Sequence, residues 1–215
     1  MSALELVAQL RRQGIRDPQV LEALARVPRD RFVSGHLASY AWDNVALPIG
    51  AGQTISQPWV VARMTELAQL APGDKVLEVG TGSGYQTAVL CELDADVYTI
   101  ERLSEHAATA LQRLADLGYT PRTRVGDGWL GWPEAAPFDR IVVTAAPTRV
   151  PPHLLDQLAE GGRLVIPVGP EHRQVLTVIE RKDGRFEEQA IVPVSFVPLV
   201  EGSEEAPNAE EFGPE

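Results

Sequence analysis

The residues best suited to chemistry stand where apolar runs end. Lys75 to Gly84 reads Lys-Val-Leu-Glu-Val-Gly-Thr-Gly-Ser-Gly, an apolar run broken by glycines at alternate positions 80, 82 and 84. Glycine takes left-handed backbone angles and lets a ligand approach the main chain without a Cβ in the way. The N–H groups at the start of the helix that follows, from Tyr85, would point towards whatever lies over the turn. The turn is thus a binding surface made of backbone, with the carboxylate of Glu78 beside it. Roughly twenty positions on, Glu101 closes a second apolar stretch and is placed to accept hydrogen bonds from both hydroxyls of a ribose. Further on stands Gly126-Asp127-Gly128, in which Asp127 can accept from an adenine amine while the glycines leave room for the ring. Each has a plain alternative: a tight turn that binds nothing, a surface Glu, an ordinary Asp-Gly turn.

Spacing narrows the ligand. A dinucleotide fingerprint, G-x-G-x-x-G, needs glycine at position 85, and this chain has Tyr85. G-x-G-x-G preceded by Glu78 resembles motif I of S-adenosylmethionine-dependent methyltransferases. A dinucleotide presents a doubly charged pyrophosphate, which Glu78 would repel. S-adenosylmethionine has a zwitterionic amino-acid end and a sulfonium, which Glu78 can help to place, directly or through water.

The second stretch with chemical promise is Leu47 to Pro58, Leu-Pro-Ile-Gly-Ala-Gly-Gln-Thr-Ile-Ser-Gln-Pro. It reads as a flexible loop rich in uncharged hydrogen-bonding groups: Gln53, Thr54, Ser56 and Gln57. Pro58 suits the first position of the next helix. Ser56 then either caps that helix or faces a substrate, and capping leaves Gln53 and Thr54 without a role.

The elements that must position these groups follow from periodicity. Leu4, Val7 and Leu10 share one helical face, and Val20, Leu21, Leu24 and Ala25 another, after Asp17-Pro18; two short amphipathic helices are expected to pack on the main sheet. Val27 to Asn44 has no clear period and reads as a long structured loop. From Lys75 strands and helices alternate, which predicts a doubly wound, mostly parallel sheet: strands at 75–79, 96–100, 123–125, 138–144 and 162–168, and helices at 85–93, 103–117 and around 154–158. The connection 169–173 is too short for a crossover helix, so the sixth strand, 174–181, should turn back antiparallel and pair with 185–196 around Asp183-Gly184.

Composition bounds the rest. A chain of 215 residues, 44% hydrophobic, has material for one large core. The net charge of −11 argues against broad phosphate-backbone binding. Part of the acid lies in the tail from Glu201 to Glu215, read as solvating and disordered. No apolar run reaches the ~18 residues of a membrane span, and no signal pattern opens the chain. The single Cys91 excludes an internal disulfide and fits a reducing cytoplasm as core filler. Cys/His spacing for a metal is absent, and His36, His106, His153 and His172 are scattered.

Val27-Pro-Arg-Asp-Arg-Phe-Val, Leu47 to Pro58, Leu77-Glu-Val-Gly-Thr-Gly-Ser-Gly-Tyr, Gly126-Asp-Gly and Phe196-Val-Pro-Leu together resemble the protein-L-isoaspartate (D-aspartate) O-methyltransferase family, over nearly the whole chain to about Val200. Motif I is shared by many methyltransferases; Gln53-Thr-Ile-Ser-Gln-Pro is the more specific part. The resemblance implies a class I, Rossmann-like, seven-stranded fold. It divides the chain into one domain at 1–200, with N-terminal helices and active-site loop at 1–58 and the core at 59–200, followed by the tail. It implies methylation of the α-carboxyl of L-isoaspartyl residues in damaged proteins and peptides, D-aspartyl residues being left open, with S-adenosyl-L-methionine as donor, S-adenosyl-L-homocysteine as product and no metal. A monomer without nucleic-acid or membrane partners goes with it. Ser56 matches the active-site serine, with Thr54 and Ile55 lining the meeting point of donor and substrate. Glu78, Gly80, Gly82, Gly84, Glu101, Asp127 and Gly128 match cofactor positions, and Val194, Ser195, Phe196 and Val197 match a segment that lies against the peptide. Ser195 departs from the pattern, since an Arg is common there, which puts any charge pairing with the peptide in doubt.

The attacking carboxylate is already ionised at neutral pH, so displacement at the sulfonium methyl needs no general base; catalysis should come from alignment and from exchanging water for fixed dipoles. Three rivals remain at this point: a methyltransferase acting on a metabolite or RNA, a non-catalytic sensor of the nucleoside, and a nicotinamide dehydrogenase, the last disfavoured by Tyr85.

Overall fold

A computed structural model describes residues 1–202 of the chain. Of the acidic tail expected from residue 201, everything from 203 on lies outside the described residues.

Helix α1 (Ala3–Arg12) opens with a reciprocal cap in which Glu5 N–H donates to Ser2 Oγ and Ser2 N–H to the Glu5 carboxylate. Helix α2 (Pro18–Arg26) is capped by Asp17. α1 packs on α2 and on α3 (Pro58–Ala68), and α2 on α3 and α4 (Tyr85–Glu92), burying Leu6, Leu10, Leu21 and Leu24 in one cluster with Phe32, Ile55, Tyr85 and Val89. They form a layer above the helices, not on the sheet as expected, because α3 and α4 already cover that face. Between α2 and α3 the expected loop holds two 3-10 turns, Arg29–Phe32 and Gly35–Tyr40. The Leu47 to Pro58 stretch is no loop: β1 (Leu47–Gly50) and β2 (Gln53–Ile55) pair antiparallel. Ala51 and Gly52 both take positive φ between them, and that turn geometry makes the hairpin.

The main sheet holds β3 (Lys75–Val79), β4 (Asp96–Glu101), β5 (Arg122–Val125), β6 (Phe138–Val143), β7 (Leu158–Val168), β8 (Gln174–Lys182) and β9 (Arg185–Val194) in the order β5-β4-β3-β6-β7-β8-β9. β5 to β7 run parallel, and β8 and β9 turn back antiparallel, as the short connection requires. Period-2 alternation assigns the two faces. Leu77, Val79, Ile141, Val143, Leu164 and Ile166 point to one side, where α6 (Pro152–Asp156) packs on β7. Val76, Val142 and Val165 point to the other, against Met64, Ala68 and Leu90. Helix α5 (Ser104–Asp116) packs along β4 and β5.

One boundary moves. The helix expected to reach Leu158 ends at Asp156, and β7 starts at Leu158, where it pairs with Phe138 before the register breaks. Gly161, at positive φ, and Gly162, whose Cβ would come 2.8 Å from the Ala159 carbonyl oxygen, accommodate that irregularity.

Candidate active site

From β3 the chain runs outward through α4, β4, α5 and β5, then returns to β6 on the other side of β3. The strand order reverses there, and in open α/β sheets a crevice forms at the C-terminal ends of such strands. A cavity lies at this point, lined by Gly80, Thr81 and Gly82 after β3, Glu101 at the end of β4, Gly128 after β5 and Thr144 after β6.

Side chains from neighbouring strand ends hold the turn in shape. Gly80 and Gly82 take φ of 97° and 52°, angles that favour glycine. Thr144 Oγ1, which has the Val79 and Gly80 carbonyls at 3.0 and 2.6 Å, would lie only 2.4 Å from a Cβ on Gly80. Glu101 is 6% exposed; its Oε2 accepts from Gly82 N–H and its Oε1 from Leu103 N–H, leaving further lone pairs on each oxygen. Gly128 lies against Val79, which a Cβ there would meet at 2.4 Å.

Three residues expected to meet the ligand are outside the lining. Glu78 follows the strand alternation to the α4 side, where it is fully buried and its Oε2 accepts from Thr87 and Thr99 hydroxyls at 2.5 and 2.7 Å. Burial pushes its carboxyl up to about 8, so it is mostly neutral at pH 7 and not the anion the sequence suggested. Gly84 faces α5: a Cβ there would meet Ala110 and Leu114 at 3.3 Å, so it serves close helix packing. Asp127 spends its carboxylate on backbone, accepting from Trp129 N–H and Gly202 N–H, each at 2.8 Å.

The hairpin supplies the opposite wall through Gln53, Thr54, Ile55 and Ser56. Ser56 does not cap α3: Gln57 occupies the cap position, without a side-chain cap hydrogen bond. Behind Ser56 lies Arg29, 0% exposed, whose guanidinium donates to the carbonyls of Ala41, Val45 and Ser56 and sits 5.6 Å from the Tyr85 ring centre. The sequence offers no sign of which arginine in Pro28-Arg-Asp-Arg-Phe goes inside.

The residues after β9 close the remaining side. Val197 C=O accepts from Ala146 N–H and Leu199 N–H donates to Ala146 C=O, a short parallel bridge at the end of β6. Gln174, 4% exposed, pairs with the Phe196 main chain at both ends, its Nε2 donating to Phe196 C=O and its Oε1 accepting Phe196 N–H. Val194, Ser195, Phe196 and Val197 thereby line a second cavity with Asn44, Val45, Gln57 and Trp59. The two cavities adjoin: Thr54, Ser56, Thr144 and Val197 line both. Among the described residues, no charged or titratable side chain lines the second. Trp42 packs in the N-terminal layer, Trp129 under Arg149 and Trp132 against Tyr98. Sequence reasoning missed Thr144, Arg29 and Gln174; of these only Thr144, at the end of a strand beside the glycine turn, carried a positional signal.

Among the described residues, no group of three or more His, Cys, Asp and Glu side chains is arranged to hold a metal, and no helix is long and apolar enough to cross a membrane. A solved protein-L-isoaspartate O-methyltransferase superposes with a TM-score of 0.84 at 28% identity; the match covers 91% of this chain and 65% of that one, so this chain spans just under two thirds of its length. A second, a protein-L-isoaspartate O-methyltransferase from Plasmodium falciparum in complex with S-adenosyl-L-homocysteine, gives 0.82 at 26% identity and covers 93% and 99% of the two chains. The fold is that of class I S-adenosylmethionine-dependent methyltransferases. The family described as protein-L-isoaspartate(D-aspartate) O-methyltransferase matches residues 1–204, and the chain belongs to it.

Proposed function

We propose that the protein methylates the α-carboxyl of L-isoaspartyl residues in damaged proteins and peptides, with the donor in the first cavity, the isoaspartyl carboxylate in the second, and Ser56 at the opening between them. The observation that carries this reading is the shared wall: Thr54, Ser56, Thr144 and Val197 border both cavities.

The first cavity fits S-adenosyl-L-methionine in shape and in donor set. Its floor is bare backbone at Gly80 and Gly128, where a Cβ would collide with Thr144 and Val79. Glu101 keeps lone pairs free for ribose hydroxyls. The Tyr85 hydroxyl and Gln86 Oε1, on residues of the lining, are buried without a hydrogen-bond partner among the described residues; a donor and an acceptor of this kind suit a carboxylate and an ammonium. When bound, the cofactor supplies an electrophilic methyl on a sulfonium. Glu78 and Gly84 act beneath the turn, fixing its shape and its helix, and Asp127 holds the loop that carries Gly128.

The second cavity supports an anionic nucleophile that needs no base. A carboxylate with pKa near 4 is ionised at neutral pH, and Ser56 and Thr54 offer hydroxyls to orient it. Apolar neighbours such as Val194, Phe196 and Trp59 exclude water, which leaves the carboxylate poorly solvated and more reactive. In an isoaspartyl unit the chain continues through the side-chain carbonyl, so the α-carboxylate projects as a free branch that such a cavity can read, with the peptide lying over residues 194–197. The resulting ester can collapse to a succinimide when the neighbouring amide nitrogen attacks the ester carbonyl and displaces methanol, and water can reopen the ring partly as normal aspartate, which is repair.

The reading extends to residues 1–200 as one methyltransferase domain acting as a cytoplasmic monomer without a nucleic-acid partner. The net charge of −11 and the single cysteine, whose thiol burial pushes up to about 12, support it. The deciding experiment compares methyl incorporation from labelled donor into an isoaspartyl peptide and its normal aspartyl twin. Incorporation into the first alone is expected; equal labelling of both, or of neither, would overturn the assignment.

A further inference from the structure

Arg29 is among the largest side chains wholly withdrawn from solvent in the described residues, and the hydrogen bonds it makes go to three carbonyls: Ala41, Val45 and Ser56. Burying a guanidinium whose hydrogen-bond acceptors are all neutral carbonyls costs stability, and the charge of Asp43 nearby offsets only part of the burial, so a placement this expensive calls for a role that a leucine of similar volume would not fill. The three carbonyls come from separate stretches: the end of the 3-10 turn, the approach to β1 and the exit of β2. A planar fork with five donors can hold all three in one geometry. Holding the Ser56 carbonyl fixes the plane of the Ser56–Gln57 peptide, and with it the direction in which Cβ and Oγ of Ser56 leave the main chain. Val45, whose carbonyl Arg29 also holds, lines the second cavity alongside Ser56.

We propose that Arg29 is a positioning residue for methyl transfer: it acts through the Ser56 carbonyl to aim the Ser56 hydroxyl at the opening between the cavities. The inference rests on Ser56 being the substrate-side group. Lysine at this position carries the charge but has its three donors on one nitrogen at the end of a flexible stem, whereas Arg29 reaches the carbonyls through two nitrogens held in one plane, Nη1 to Ala41 and Nη2 to Val45 and Ser56. The test uses Arg29→Lys, Ser56→Ala and the double variant, assayed at a temperature where circular dichroism shows each folded. R29K should bind S-adenosyl-L-homocysteine within about twofold of wild type while its kcat on isoaspartyl peptide falls tenfold or more. S56A should cost far less in the R29K background than in wild type, because the hydroxyl is already misaimed. Independent costs that simply multiply, or an unchanged kcat in R29K, would overturn the proposal. Amide hydrogen exchange across residues 53–60, read without substrate, should rise at least tenfold in R29K while β3 and β6 stay protected; exchange at the wild-type level would also overturn it. That second readout separates the two claims, since a wild type that ignores isoaspartyl peptide sinks the assigned reaction and leaves the anchoring role to be decided by exchange alone.

Discussion

Oε2 of Glu101 accepts the backbone N–H of Gly82 at 2.8 Å, so the end of β4 holds the centre of the glycine turn after β3. On the function proposed above, the carboxylate serves the turn and the ligand at once. Replacing Glu101 by Gln puts an amide donor opposite one of two backbone donors, Gly82 or Leu103. A charged hydrogen bond is worth about 1.5–3 kcal/mol, so affinity for S-adenosyl-L-homocysteine by titration calorimetry should fall about tenfold to a hundredfold. An affinity within twofold of wild type would remove Glu101 from the ligand site.

Gly80 is expected to tolerate alanine only if Thr144 changes with it. The new Cβ would stand 2.4 Å from Thr144 Oγ1 but 3.7 Å from Thr144 Cβ, so truncating the threonine removes the collision and leaves the cost of a positive φ, about 1–2 kcal/mol. Denaturant unfolding of G80A, T144A and the double variant checks this: the double variant should be more stable than G80A alone. If the two losses add, the contact is not the constraint.

Glu78 sets a pH dependence whose sign is fixed. Its folded pKa, about 8, lies above the ordinary 4.5 because burial outweighs its two hydroxyl partners. The native state therefore holds a proton that the unfolded chain releases from about pH 4.5 upward. The protonated carboxyl contributes fully below that pH, and its contribution is lost as pH climbs through 8, at up to about 1.4 kcal/mol per pH unit. Glu78→Gln keeps the shape without the titration. The stability difference between E78Q and wild type, from chemical melts at pH 5 to 8.5, should grow with pH in favour of the variant; a flat difference would mean that Glu78 ionises normally.

Gln174 should matter to the peptide and not to the donor. Its side chain copies a strand's two-point pairing to hold Phe196 after β9 has ended. Gln174→Leu fills the same space without those bonds, freeing the segment that lines the second cavity. KM for an isoaspartyl peptide should rise severalfold with S-adenosyl-L-homocysteine affinity unchanged; equal effects on both would point to general loosening of the sheet.

Much of this architecture was legible because backbone needs announce themselves in sequence. Alternating glycines after Leu77-Glu-Val, the acidic residue ending the next strand and the short link after Val168 gave the parallel core and its antiparallel return. The first cavity's walls at Gly80, Gly82, Glu101 and Gly128 followed from the rule for strand ends. Side-chain direction did not follow. Glu78 and Gly84 are one residue away from groups that line the cavity, and the pleat and the helix turn sent them elsewhere. The hairpin at 47–55 was hidden because its strands are short and interrupted by Pro48 and Gly50. Arg29 and Gln174 were out of reach for a different reason: their partners are main-chain carbonyls and amides distant in sequence, and such pairing leaves no pattern in residue type.

The bridge between Ala146 and residues 197–199 has a consequence for the order of events in synthesis. One wall of the crevice emerges before any strand of the large sheet and the opposite wall after the last of them. A nascent chain can complete its parallel core, with the glycine turn and Glu101 in place, and still have a crevice open on one side. Closing it waits for residues 197–199, so tight capture of ligand should follow the docking of the last described segment and lock two distant stretches together.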